Sequence, residues 1–105
     1  MKIDGKTIQS EEEILAALQE EFDQRVEFVV MEDGDDYFIQ TSGGALEYHH
    51  GDKHYYVADH PVEQEKIKAA FISYYRNDGE YLRNFEWTEV IHESLWTKIK
   101  KLFGK

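Results

Sequence analysis

Four of the five histidines, His49, His50, His54 and His60, fall within twelve residues, and neutral imidazole is the commonest side-chain ligand for transition metals. Gly51-Asp52 suits a type II′ turn, whose first central position favours glycine. A hairpin closed there sets Leu46 opposite Val57 and Tyr48 opposite Tyr55 on one face, with Glu47 opposite Tyr56 and His49 opposite His54 on the other. His49, His54 and Glu47 would then offer three donors to a metal, the basis of a small metal-dependent enzyme. The same residues also make an ordinary set of polar cross-strand pairs, and their spacing matches no zinc signature. No metal or cofactor is assigned on this pattern.

The run Glu32-Asp33-Gly34-Asp35-Asp36 presents the hard oxygens that calcium prefers. Its glycine is misplaced for an EF-hand loop, however, and no bidentate glutamate follows at the required spacing. It reads instead as an acidic hairpin turn able to meet a basic partner. Cysteine is absent, which removes thiolate ligands and thiol nucleophiles. Ser42-Gly43-Gly44 reads as a turn between strands, and no hydrolase elbow, phosphate loop or dinucleotide fingerprint occurs. Carboxylates are too numerous for spacing to single out a catalytic pair. No nucleophile, base or cofactor loop can be named, and the chain is expected not to be an enzyme.

The elements that must carry these residues follow from periodicity. Asp4-Gly5 favours a tight hairpin within residues 1–8. Ser10, with Glu13 three residues on, has capping-box spacing, and Ile14, Leu15, Leu18 and Phe22 extend a first helix to about Asp23. Val26, Phe28 and Val30 alternate toward Asp33-Gly34; a two-residue turn there sets Val30 opposite Tyr37 and Phe28 opposite Ile39. His60-Pro61 opens a second helix with the stripe Ile67, Ala70, Phe71, Tyr74 and Tyr75, ended by Asn77-Asp78-Gly79. Phe85-Glu86-Trp87 alternates like an edge strand. Thr88 would cap a third helix bearing Val90, Ile91, Leu95, Ile99, Leu102 and Phe103. The expected fold is a single α+β domain over residues 1–105, an antiparallel sheet of four to five strands built from hairpins, with three helices packed mainly on one face.

With 105 residues, 41% hydrophobic and 14% aromatic, the chain has enough apolar surface for one core. Its 22 acids against 12 bases give a net charge of −10, a surface that repels phosphate and argues against direct nucleic-acid binding. Of that −10, Lys98, Lys100, Lys101 and Lys105 put +4 on residues 98–105 and leave −14 on residues 1–97. A cationic last helix complements its own dipole; with Trp96 and Phe103 among the lysines it also has the make-up of an interfacial helix, though one short helix on an anionic body would hold lipid weakly. No stretch is long and apolar enough for a membrane span or signal region, so no membrane partner and a cytoplasmic address are expected.

The second hairpin, Pro61, the helix core Ile67, Ala69-Ala70-Phe71 and Tyr74-Tyr75, and the segment Phe85-Glu86-Trp87-Thr88-Glu89-Val90 together resemble the immunity proteins that accompany bacterial polymorphic toxins, especially those paired with deaminase toxins. The resemblance covers roughly residues 43–90. The chain departs from the family in lacking a proline between helix and Trp87 and in continuing well past that tryptophan. The resemblance implies a small acidic α+β domain that neutralises a basic toxin by stoichiometric binding, as a monomer or weak dimer, with no catalytic residues. The contact would use exposed acids and tyrosines: Glu32, Asp33, Asp35, Asp36, Glu47 and Tyr56. A general interaction domain docking through its C-terminal helix is the further alternative.

Overall fold

The computed structural model describes residues 1–51 and 55–90. The expected C-terminal helix with its lysines, and His54, lie outside the described residues. Among those described, seven strands form one antiparallel sheet, with three helices. In chain order the elements are β1 (Lys2–Ile3), β2 (Lys6–Thr7), α1 (Glu11–Phe22), β3 (Val29–Glu32), β4 (Tyr37–Ser42), β5 (Ala45–His50), β6 (Tyr55–Ala58), α2 (Gln64–Arg76), α3 (Glu80–Arg83) and β7 (Trp87–Val90). The sheet order is β2-β1-β3-β4-β5-β6-β7. The α+β class is as expected; the expected four to five strands understate the sheet, because the short first hairpin joins it at one edge and β7 at the other.

The first hairpin turns at Asp4 and Gly5, both with positive φ (53° and 77°), as a type I′ turn demands. Gly43 and Gly44 (56° and 85°) make the corresponding two-residue link between β4 and β5, with Ser42 opposite Ala45. α1 starts where Ser10 adopts an extended backbone, but the serine hydroxyl makes no capping bond. Glu13 reaches past it to accept the N–H of Gln9 at 2.7 Å. α2 begins later than the sequence suggests, with Glu63 at its N-cap and Pro61 in the preceding loop, and it ends on the left-handed Asn77. α3 was not anticipated. Thr88 does not cap a helix: it pairs with Val57 in β7, and Val90 pairs with Tyr55.

One face of the sheet carries α1 and α2. Ile14 and Leu18 from α1, and Ile67, Ala70, Phe71 and Tyr74 from α2, pack in one core with Val29, Met31, Ile39, Leu46, Tyr48 and Ala58. Glu21, at the end of α1, is buried and accepts the N–H of Gly43 at 3.0 Å, tying the β4–β5 turn under the helix. At the far end of the core, Tyr56 stacks on Tyr48 with ring centroids 4.7 Å apart, and Trp87 meets Tyr48 edge-on at 4.6 Å. Burial pushes the Tyr48 hydroxyl up to about 12, so it stays protonated as a core group.

Arg76 in the last turn of α2 forks onto Glu11 in the first turn of α1, Nε donating at 2.6 Å and Nη2 at 2.8 Å. Those hydrogen bonds hold the Glu11 carboxyl below its ordinary value of 4.5. Asp78 is lowered likewise, from 3.8, by the Ser73 hydroxyl and the Glu80 N–H. A folded-state pKa below the unfolded one means that the unfolded chain binds more protons as the pH drops. The stabilisation is therefore present above about pH 4.5 and is lost as the pH falls through the lowered folded values. Melting curves from pH 6 to pH 3 should show Glu11→Gln losing less stability on acidification than wild type; parallel curves would contradict this.

Candidate functional site

Two polar assemblies stand out, one exposed and one buried. The exposed one is the β3–β4 turn. Asp33 donates its N–H to the Tyr37 carbonyl at 2.8 Å, and Gly34 and Asp36 take left-handed backbones with φ of 93° and 64°. The turn is therefore wider than the expected two residues at Asp33-Gly34. Its register sets Val30 opposite Gln40 and Met31 opposite Ile39, in place of the expected Val30–Tyr37 and Phe28–Ile39 pairs. This odd-numbered shift exchanges the faces: Val29 and Met31 enter the core, and Phe28 is 42% exposed. Glu32, Asp33, Asp35 and Asp36 are all exposed. Among the described residues, no lysine or arginine forms an ion pair with any of them.

The buried assembly lies on the sheet face opposite α1 and α2. Gln40 on β4 and Glu47 on β5 are direct cross-strand partners, and the Gln40 amide donates to Glu47 Oε2 at 2.6 Å. Two residues along β5, His49 Nε2 lies 3.3 Å from Glu47 Oε1. The His49 imidazole sits between its two cross-strand neighbours, Phe38 at 3.9 Å and Tyr55 at 4.0 Å between ring centroids. Gln40, Glu47 and His49 are 7, 7 and 6% exposed. Each carboxylate oxygen is occupied by a neighbour, and the pair offers almost no surface to a substrate.

Among the described residues, the histidines do not converge. β5 pairs with β6 one position off the expected register, so His49 faces Tyr55 and Tyr48 faces Tyr56. His50 is exposed and meets Tyr37 edge-on at 5.2 Å. His60 donates from Nε2 to the Gly43 carbonyl at 3.2 Å. Among the described residues, no three potential metal ligands come together. The expected proximity of Glu47 and Tyr56 is corrected too: Glu47 pairs with Val57 and is buried on the second face, whereas Tyr56 lies on the helix side. Tyr56 is hydrogen-bonded to Glu89, which raises its pKa.

Comparison with family models, with curated proteins and with solved structures matched nothing. The geometry must therefore carry the reading. Gln40 is the functional-looking residue that sequence analysis missed. The signal for it was its place opposite Glu47, a pairing that follows from the Gly43-Gly44 turn, since that turn fixes the β4–β5 register. No described helix is long and apolar enough to cross a membrane.

Proposed function

We propose that this chain is a non-enzymatic binding protein of the immunity type, which neutralises a basic bacterial toxin by presenting carboxylates to the toxin's substrate cleft. The observation that supports this reading most is the β3–β4 turn, where four exposed acids stand together without a basic partner among the described residues. Uncompensated charge concentrated on one loop steers a cationic partner and raises its association rate more than its final affinity. A cleft built to hold polyanionic nucleic acid is such a partner.

The test takes the basic protein encoded beside this one as partner. It should form a one-to-one complex whose association rate falls as salt rises. Asp33→Asn/Asp35→Asn/Asp36→Asn should slow association by about tenfold, within the range over which steering acts, with a smaller change in dissociation. Absence of a complex, or an association rate indifferent to both salt and the triple substitution, would overturn the reading.

A further inference from the structure

On the sheet face opposite α1 and α2, the polar side chains at the centre are the enclosed ones. Gln40, Glu47 and His49 are buried there, and Phe38, Tyr55 and Val57 beside them are half-buried. The described helices are all on the other side: α1 and α2 build the core, and Tyr81 of α3 meets Tyr48 and Tyr74 there. An antiparallel sheet face left to water keeps its polar side chains exposed. Cross-strand neighbours shield a side chain from its flanks and leave its tip open, so a buried carboxylate, amide and imidazole at the middle of a face call for a layer over β4 and β5.

The chain itself supplies a candidate of the right length, start and charge. β7 is a border strand that ends at Val90, and Val90 stands on this same face, since it pairs with Tyr55 and Tyr55 with His49. Beyond it, Ile91, Leu95, Ile99 and Leu102 have the spacing of one helical stripe. As a helix, residues 91–103 would reach about 20 Å, against about 14 Å from β7 across β6 and β5 to β4. The charges are complementary too: residues 98–105 carry +4 and residues 1–97 carry −14. The net charge of −10 opposes a second copy of the chain as the cover.

We propose that this face is the docking surface for residues 91–105 of the same chain, which cross it from β7 toward β4 with their apolar stripe on Phe38, Tyr55 and Val57 and with Gln40, Glu47 and His49 enclosed beneath. The enclosed polar groups already bond to one another, as an apolar cover requires. The domain then has three layers, the sheet lying between two helical ones. Nothing in this arrangement depends on the toxin reading, which uses the β3–β4 turn.

Two measurements on the full chain test it. The sequence has no cysteine, so Thr97→Cys, which helical spacing sets opposite the apolar stripe, takes a single nitroxide label. The label should broaden the amide signals of Gln40 and Glu47 more than those of Ile67 and Phe71 in α2. Isotope-enriched chain without the label, mixed with labelled chain, should keep its signals sharp. Ile99→Asp puts a charge into the stripe. It should raise modification of His49 by diethylpyrocarbonate severalfold, while the exposed His50 reacts as in wild type and the Ile39 amide keeps its protection from hydrogen exchange. Equal or stronger broadening at Ile67 and Phe71 would put the segment on the helix side and overturn the proposal. Broadening only between molecules would make the cover a second copy, and a wild-type His49 as reactive as His50 would show a face left open to another protein; either result overturns it as well. Unchanged His49 modification in a folded Ile99→Asp variant would do the same. Should Ile99→Asp unfold the chain, the nitroxide pattern decides by itself.

Discussion

Phe71→Ala should cost about 3–5 kcal/mol of unfolding free energy, the range for deleting a buried phenylalanine and leaving its cavity. Phe71 is fully buried in α2 and, among the described residues, is the largest of the completely enclosed side chains. It sits in the cluster that joins both long helices to the sheet, so the surroundings cannot collapse into the space without moving a helix. In a domain of this size the loss corresponds to roughly 15–30 °C in Tm. Urea unfolding should show the midpoint falling at unchanged slope. Met31→Ala, also at a fully buried position, should cost about 2–5 kcal/mol, and Phe28→Ala, at 42% exposure, markedly less. Equal losses at Met31 and Phe28 would contradict the strand register as well as the packing.

The second large effect belongs to Glu47. Glu47→Ala removes the acceptor for the Gln40 amide and the partner of His49 Nε2, leaving two buried polar groups unsatisfied. Each such orphan costs about 1–3 kcal/mol, so a total of about 2–6 kcal/mol is expected. Glu47→Gln keeps an acceptor oxygen toward Gln40 and should recover part of the loss. Replacing Gln40 and Glu47 together by leucine and methionine removes both ends of the bond and should be milder than Glu47→Ala, because a missing pair costs less than a stranded partner. Thermal unfolding of the three variants decides it; a double variant as unstable as Glu47→Ala would show that burial of the chain matters beyond its hydrogen bonds.

The residues themselves explain which parts of this fold could be read beforehand. α1 and α2 announce themselves through apolar stripes, and the Asp4-Gly5 and Gly43-Gly44 turns through residues that tolerate positive φ. The β3–β4 and β5–β6 registers were read wrongly for one physical reason. Residues 26–31 are apolar at both parities, Val26, Phe28 and Val30 on one and Val29 and Met31 on the other, so alternation does not choose a face. Residues 55–58 have the same ambiguity. The turn chemistry then had to decide, and Asp33-Gly34 suggested a tighter turn than the one that Asp36, itself left-handed, completes. The expected opposition of His49 and His54 depended on one of those registers, and Tyr55 stands opposite His49 instead. The exposure of Glu32, Asp33, Asp35 and Asp36 does not depend on the register, because charges clustered at a turn stay in solvent in either one.

Five of the six strand pairings join strands that are consecutive in the chain; only β1 with β3 reaches past an intervening strand and a helix. Loop closure before a pairing forms is the slow step in β-rich folding, and rates rise as contacts become more local. The central β3–β4–β5–β6 meander can therefore zip through successive hairpins, with both borders joining later, β1 to β3 across α1 and β6 to β7 across α2 and α3. Stopped-flow refolding should place Met31 and Ile39, deep in the meander, in the structured part of the transition state and Ile3 outside it. The sheet is therefore secured from its centre outward, and each border waits on the helices that its chain must first cross.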